Sequence, residues 1–113
     1  MEGQAPSHAF EISVVIPCLN EAETLPDCLG RARRALETSA LSGEIIVVDN
    51  GSTDGSSDVA ARFGAKVLQV DSRGYGNAVS AGVRAARGEY IVVGDADGSY
   101  DFLEIPRFIA KLR

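Results

Sequence analysis

Two aspartates separated by one residue, Asp95 and Asp97, are the most chemically suggestive pair in this sequence of 113 residues. They follow an apolar run that predicts a β-strand, and the glycines at 94 and 98 place them in a loop. Two carboxylates in such a loop can turn towards one hard cation, and Mg²⁺ or Mn²⁺ prefers oxygen ligands of this kind. The pair therefore predicts a divalent metal site shared with substrate phosphates. The alternative is a solvated acidic turn.

A second polar group consists of Asp49 and Asn50, which end another apolar run. A carboxylate and an amide at a strand end can bind a ribose or a base edge, as an acidic residue does in dinucleotide-binding folds. The alternative interpretation is a turn that caps the next helix.

A glycine-rich turn that contains Arg73, Gly74 and Gly76 follows the third apolar run. Its backbone N–H groups and the guanidinium of Arg73 can bind a diphosphate. The turn lacks the third glycine of the dinucleotide fingerprint and follows the third strand rather than the first. We therefore reject a nicotinamide site here.

A sheet must bring these polar groups together, and the apolar pattern predicts one. Short apolar runs at 12–16, 44–48, 66–70 and 90–93 alternate with helical patterns. Strands that are apolar almost throughout are typical of a parallel sheet with helices on both faces. We predict an α/β fold with a Rossmann-like, doubly wound parallel sheet of four strands alternating with helices. Its ligand site is expected at the carboxyl ends of the strands.

Local signals predict where these elements begin and end. Pro17 is expected to end the first strand, and Asn20 is expected to cap the next helix, with Glu23 completing a capping box. Gly64 is expected to end the second helix in a left-handed conformation. Residues 1–10 are interpreted as a leader and residues 11–113 as the folded domain.

The overall composition excludes several classes of protein. With 11 basic and 16 acidic residues, the chain has a formal net charge of −5, which argues against a protein held on nucleic acid by phosphate contacts. No apolar run approaches the roughly 18 residues of a membrane span, and no secretory signal begins the chain. We predict a cytoplasmic location, with Cys18 and Cys28 as buried thiols in a reducing compartment.

Taken together, these motifs resemble the family 2 glycosyltransferases, which have the GT-A fold. The resemblance rests on four segments in this order: residues 16–21 (IPCLNE), 47–56 (VVDNGSTDGS), 85–91 (AARGEYI) and 95–97 (DAD). Two further stretches, residues 74–78 (GYGNA) and 95–101 (DADGSYD), are closer still to the polyprenyl-phosphate or dolichol-phosphate glucosyl- and mannosyltransferases.

The resemblance implies a nucleotide-binding role for residues in the first two motifs. Pro17, Leu19 and Glu21 match the loop that lies against the base and ribose in the family. Asp49 and Asn50 match a pair of aspartates that contacts the nucleoside. The second aspartate of that pair is replaced here by Asn50, so we expect base recognition to differ.

The resemblance also implies a metal and diphosphate site. Asp95 and Asp97 match the metal-binding pair of the family, and Asp95 is also expected to contact the nucleotide. Ser99 matches a position that makes a further metal or phosphate contact, and Arg73 falls near the diphosphate. Mg²⁺ or Mn²⁺ is the implied cofactor.

The implied function is inverting transfer of a hexose from a nucleotide-diphosphate sugar. Closeness to the polyprenyl-phosphate group implies a lipid-phosphate acceptor at the cytoplasmic membrane face. The catalytic domains of the family are longer than this chain, which matches their N-terminal, donor-binding half, and we identify no catalytic base. The alternatives are a truncated nucleotide-binding module without transfer activity and a flavodoxin-like domain without a ligand.

The last helical pattern places five large apolar residues at one boundary of the predicted sheet. We predict that the local sheet cannot bury all five, so that the chain forms a homodimer, binds a hydrophobic dye or folds only marginally. The five residues are Phe102, Ile105, Phe108, Ile109 and Leu112.

Overall fold

The computed structural model describes residues 8–113, so the first seven residues of the predicted leader lie outside the described residues. Strands and helices alternate along the chain, as the apolar pattern predicts. The elements are β1 (Phe10–Cys18), α1 (Leu25–Thr38), β2 (Gly43–Asp49), α2 (Ser56–Arg62), β3 (Lys66–Gln69), α3 (Tyr75–Ala85), β4 (Gly88–Val93), a 3₁₀ turn (Phe102–Glu104) and α4 (Ile105–Leu112).

The four strands form one parallel sheet in the order β3-β2-β1-β4. From β1 the chain passes through β2 and β3 on one side and then crosses back to β4 on the other side. The strand order therefore reverses between β1 and β4, which is where ligands bind in sheets of this kind. The predicted Rossmann-like fold is confirmed.

The hydrophobic core is centred on β1, in which every residue from Ile12 to Cys18 is buried. Alternate side chains of β1 point to opposite faces of the sheet. One face packs against α1, the 3₁₀ turn and α4, whereas the other packs against α3. Cys18 and Cys28 are free thiols in the first of these layers, and burial raises the pKa of both.

Helix α3 packs closely on the sheet because its buried residues are small. Ala78 and Gly82 are the buried residues of this helix. A Cβ added at Gly82 would lie 2.4 Å from Cγ1 of Val15 and 3.0 Å from Cγ2 of Val48. The absent side chain therefore sets the distance between α3 and the two central strands.

A polar network joins β1, β2 and β4 at the amino end of the sheet. The hydroxyl of the fully buried Ser13 donates to Oε2 of Glu44 at 2.6 Å, and the same oxygen accepts the Arg87 N–H at 2.7 Å. The Ser13 hydroxyl oxygen in turn accepts the Gly88 N–H at 2.8 Å. This network holds the edge of the sheet opposite the expected ligand site.

Pro17 does not end β1, contrary to the sequence-based prediction. It pairs with Val48, and the strand continues to Cys18. The Cys18 carbonyl accepts the Asn50 N–H from the β2 side, so the backbone groups of Pro17 point towards β4. Pairing between β4 and β1 reaches only Val15, so the missing N–H of the proline interrupts no ladder.

The predicted cap of α1 is also wrong. The helix begins at Leu25 after Thr24, four residues beyond the predicted Asn20 cap, and no side chain in the described part of the chain caps its start. Asn20 has a φ of 55°, and its Oδ1 accepts the Thr53 N–H at 2.8 Å. An asparagine that supports a left-handed turn and links two loops resembles a helix cap in sequence.

Two other boundary predictions had different outcomes. Strand β1 begins at Phe10, inside the predicted leader, because the Phe10 ring lies 5.1 Å below the guanidinium of Arg87 and its N–H donates to the Arg87 carbonyl. Gly64 follows the end of α2 with a φ of 80°, as predicted.

No helix among residues 8–113 is long and apolar enough to cross a membrane.

The C-terminal apolar residues divide as predicted into buried and exposed groups. Phe102, Ile105 and Ile109 are buried against α1 and the sheet. Phe108 and Leu112 remain 45% and 61% exposed, respectively. The local sheet therefore does not bury all five residues.

Candidate functional site

A cleft of about 320 Å³ opens at the carboxyl ends of the strands, where the strand order reverses. Four loops supply its walls: those after β1, β2, β3 and β4. The lining residues are Pro17, Cys18, Leu19, Glu21, Asn50, Arg73, Gly74, Tyr75, Ala78, Asp95, Ala96 and Asp97. Most of the residues predicted for the site thus line one cleft, and Asp49 and Ser99 are outside its lining.

The loop after β4 is anchored through the alanine between its two aspartates. Ala96 is buried, and its carbonyl accepts the Thr24 hydroxyl at 2.5 Å and the Cys28 thiol at 3.6 Å. With Ala96 held against α1, the flanking Asp95 and Asp97 side chains line the cleft. Thr24 was missed from the sequence because nothing local links it to a loop 72 residues away.

The two carboxylates differ in their hydrogen bonding. Oδ1 of Asp95 is buried and has no hydrogen-bond partner among residues 8–113. Oδ1 of Asp97 accepts the Ser99 hydroxyl at 2.5 Å and the Ser99 N–H at 2.9 Å. These two bonds hold the pKa of Asp97 below its ordinary value. Ser99 is therefore placed to orient Asp97.

This donor set fits a divalent cation that is only partly enclosed by protein. A buried carboxylate oxygen without a partner is costly unless a proton or cation satisfies it. Residues 8–113 contain no group of three or more His, Cys, Asp or Glu side chains able to hold a metal. Asp95 and Asp97 would therefore leave several coordination positions to phosphate oxygens and water, an arrangement typical of Mg²⁺ and Mn²⁺ at nucleotide sites.

The loop after β3 brings a positive side chain and a helix start to the cleft. Arg73, Gly74 and Tyr75 line the wall, and no side chain among residues 8–113 caps the start of α3. Tyr75 is 59% exposed, and interaction of its hydroxyl with the Asp95 carboxylate raises the pKa of the phenol. Tyr75 was not predicted as a site residue, because a tyrosine in a glycine-rich turn carries no specific signal.

The structure separates the two residues that end β2. Asn50 lines the cleft, whereas Asp49 is buried beneath the start of α2. The Asp49 carboxylate accepts the Ser52 N–H at 2.9 Å and a short hydrogen bond from the Ser57 hydroxyl. Successive residues of an extended strand point to opposite faces, so Asp49 lies outside the cleft lining. Its contact with the nucleoside stays a prediction.

The carboxyl group of Asp49 is expected to make folding stability depend on pH. Its burial raises the pKa, but hydrogen bonds from Ser52 and Ser57 outweigh burial and hold the pKa below the ordinary value of 3.8. A lowered folded-state pKa stabilises the protein above 3.8 and loses that contribution as the pH falls through the folded value. Asp49→Asn should therefore be less stable than the wild type by about 1–3 kcal/mol at neutral pH.

Urea unfolding of both proteins at neutral pH and at successively lower pH measures this effect. The difference between them should shrink as the pH falls below 3.8 and through the lower folded-state pKa, where the wild-type carboxylate also becomes neutral in the folded protein. The other carboxyls with lowered pKa values titrate in both proteins and cancel in the difference. A difference that stays constant with pH would contradict this role of Asp49.

The loop after β1 is fastened to the loop before α2. The Asn20 N–H donates to the Ser52 hydroxyl at 2.8 Å, and the Ala22 N–H donates to Oδ2 of Asp54 at 3.0 Å. Between these bonds, Leu19 and Glu21 face the cleft together with Pro17. Leu19 is 45% exposed, so it offers apolar surface at the rim.

A parallel sheet with this strand order, and with paired carboxylates at the point where the order reverses, defines the chain as an α/β protein of the GT-A type. The family model described as "Glycosyl transferase family 2" matches residues 13–113. The chain therefore belongs to glycosyl transferase family 2.

Two curated relatives illustrate the range of the family. The low-salt glycan biosynthesis hexosyltransferase Agl6 of Haloferax volcanii is 41% identical over 102 residues, which cover 90% of this chain and 24% of Agl6. The human dolichyl-phosphate beta-glucosyltransferase is 36% identical over 110 residues, which cover 86% of this chain and 34% of that enzyme. The chain thus spans about a quarter to a third of the length of these relatives.

A solved structure shows the same fold with a donor bound. Glucosyl-3-phosphoglycerate synthase from Mycobacterium tuberculosis, in complex with Mn²⁺ and uridine-diphosphate-glucose, is 30% identical and matches with a TM-score of 0.77. The match covers 92% of this chain and 39% of that one.

Proposed function

We propose that this chain supplies the donor-binding half of a metal-dependent glycosyltransferase that uses a nucleotide-diphosphate sugar. The observation that carries the proposal is the buried Asp95 oxygen without a partner, beside Asp97 in a cleft at the point of strand reversal. The Mn²⁺ and uridine-diphosphate-glucose in the related synthase structure support the same conclusion.

Each wall of the cleft suits one part of such a donor. The loop of Pro17, Leu19 and Glu21 offers an apolar rim and a carboxylate, which suit a base and a ribose. On the opposite wall, the Arg73 guanidinium and the uncapped start of α3 can donate hydrogen bonds to a diphosphate. Asp97, oriented by Ser99, lines the cleft together with Asp95.

Asp95 and Asp97 would hold the divalent cation, with Ser99 acting through Asp97. When bound, Mg²⁺ or Mn²⁺ neutralises the negative charge that develops on the departing nucleoside diphosphate. Arg73 lines the same cleft and adds a positive charge from the chain itself. Glu21 completes the proposed donor site, and Asn50 lines the same cleft.

The proposed acceptor is a polyprenyl or dolichyl phosphate at the cytoplasmic face of a membrane, reached by inverting transfer. Its support is the similarity to a dolichyl-phosphate beta-glucosyltransferase. A lipid phosphate is already anionic at neutral pH, so its oxygen can attack without a strong base. A second copy of this chain is a further proposed partner, supported by the exposed side chains of Phe108 and Leu112.

Nucleotide binding without transfer is the alternative function, because no side chain of residues 8–113 is assigned as a catalytic base. Calorimetry with a nucleoside diphosphate and a sugar-transfer assay on the same sample separate the two functions. Sugar transfer by the isolated chain would exclude the alternative that it only binds nucleotide.

Binding of a nucleoside diphosphate is expected to depend on divalent metal. Without a cation, the phosphates would meet the like charges of Asp95 and Asp97 in a partly enclosed cleft. Titration of uridine and guanosine diphosphates, with Mn²⁺ and then with excess chelator, should show at least about tenfold weaker binding in chelator, which corresponds to about 1.4 kcal/mol. The nucleosides without phosphates are the control. Equal diphosphate affinity in both conditions would overturn the metal-dependent site.

A further inference from the structure

Asn50 uses its side-chain amide to hold the loop between β3 and α3. Its Nδ2 donates to the carbonyl of Val70 at 3.1 Å and to the carbonyl of Ser72 at 2.9 Å. Its Oδ1 accepts the N–H of Gly74 at 3.0 Å. Three backbone groups on one loop are therefore held by a single side chain from the end of β2.

These bonds leave Asn50 little capacity to bind a ligand. An asparagine side chain has two N–H donors, and both are already used within the protein. Asn50 is also 6% exposed, although it lines the cleft. Donation from Asn50 to a base would therefore require a loop bond to break, and only the second lone pair of its Oδ1 is left to accept one.

The loop that Asn50 holds carries the groups expected to contact the diphosphate. Arg73 lies between two of the anchored residues, Ser72 and Gly74. Gly74 has a φ of 117°, a conformation that favours glycine, and it directly precedes the first residue of α3. The position of the Gly74 N–H therefore sets where α3 begins and where its open end points.

We propose that Asn50 is a positioning residue that fixes the loop between β3 and α3 so that Arg73 and the start of α3 face the diphosphate. This inference rests on the proposed function. It assigns Asn50 to affinity for the diphosphate rather than to the choice of base. The family resemblance assigns the position to nucleoside contact, so the two roles predict different results.

An aspartate at position 50 would remove both hydrogen-bond donors of this side chain. A carboxylate can still accept the Gly74 N–H, but it has no proton to donate to the Val70 and Ser72 carbonyls. Those two carbonyl oxygens would instead face a negative charge, and the loop would move away. Asn50→Asp changes charge and donors without changing the size of the side chain.

The first experiment measures uridine and guanosine diphosphate binding to the wild type and to Asn50→Asp, each with Mn²⁺. We expect both nucleotides to bind about 10- to 100-fold more weakly. The factor should be the same for both, because the lost bonds position the loop that contacts the diphosphate, which both nucleotides share. Asn20→Asp is the matched control, since the Asn20 side chain only accepts, from the N–H and the hydroxyl of Thr53, and an aspartate retains both bonds.

A second measurement examines the loop without any nucleotide. Amide hydrogen exchange at Gly74 in the wild-type protein should be protected by the bond to Asn50 and should accelerate in Asn50→Asp. Exchange of Gly74 at the rate of an unprotected amide in the wild type would overturn the proposal, even where the variant fails to fold.

The outcomes distinguish this inference from the proposed function. A wild type that binds neither diphosphate would overturn the proposed function and this inference together. A wild type that binds, with a variant of equal affinity, would overturn the positioning role alone. A changed preference between uridine and guanosine diphosphates in Asn50→Asp would instead assign Asn50 to base recognition.

Discussion

Replacing Asp95 with asparagine is expected to reduce sugar transfer by about 10²–10³-fold, the size typical for loss of one group that stabilises transition-state charge. The substitution keeps the shape of the side chain but removes one of the two carboxylates proposed to hold the divalent cation. The measurement is the transfer rate from the nucleotide-sugar donor as a function of Mn²⁺ concentration. We expect both the maximal rate and the apparent metal affinity to fall.

The same substitution is expected to leave the fold at least as stable as the wild type. Oδ1 of Asp95 is buried without a partner among residues 8–113, so removing the charge relieves a cost. The asparagine oxygen can still accept from the Tyr75 hydroxyl that interacts with Asp95. Thermal unfolding separates this loss of function from misfolding. Asp58→Asn is the control, because Asp58 is an exposed carboxylate on α2 outside the cleft. Normal transfer with unchanged Mn²⁺ dependence in Asp95→Asn would disprove the metal role.

The second large effect is expected at the opposite end of the sheet, from Gly88→Ala. A Cβ at Gly88 would lie 2.5 Å from the Ile12 carbonyl carbon and 2.5 Å from the Ser13 nitrogen. Both atoms belong to the backbone of the central strand, so neither can rotate away. β4 would have to separate from β1 and weaken the bond between the Gly88 N–H and Ser13. We expect a loss of about 3 kcal/mol in the free energy of unfolding.

Urea unfolding of Gly88→Ala beside Gly30→Ala tests this explanation. Gly30 lies inside α1, and a Cβ there would meet no atom within 4 Å. Alanine should therefore stabilise the protein at position 30 by up to about 1 kcal/mol, since it favours the helix and restricts the unfolded chain. Opposite signs at the two glycines are the expected result. Equal unfolding midpoints for the two variants would show that the close backbone contact at Gly88 does not determine stability.

The order of elements and much of the cleft were predictable from the sequence because they depend on local pattern. Apolar runs followed by acidic residues indicate buried strands and their carboxyl ends, and a parallel sheet brings those ends to one edge. Asp95, Asp97 and Arg73 reach the same cleft for this reason. The prediction of a metal site needed only residue types and their position after a strand.

The errors arose where a side chain's partner is distant in sequence. Asn20 reads as a local helix cap, but its amide oxygen accepts from Thr53, 33 residues away. The loop bonds of Asn50, which reach up to 24 residues away, were likewise not evident from the sequence. Pro17 is tolerated in a strand because β4 ends before reaching it, which only the register shows. The hydrogen bond between Asp49 and Ser57 in the following helix was also not evident from the sequence.

The arrival of β4 beside β1 has a consequence for how the chain acquires its binding site. The partner strand of β4 precedes it by most of the chain, and the bond from Gly88 to Ser13 spans 75 residues. Closing so long a loop is slow, so this parallel pairing is expected late in folding. Leu19 follows β1 and Asp95 follows β4, so these two cleft residues come together only when the two strands pair. An intermediate with β1, β2 and β3 already paired would have a core but no cleft, so donor affinity would report the completion of folding rather than its onset.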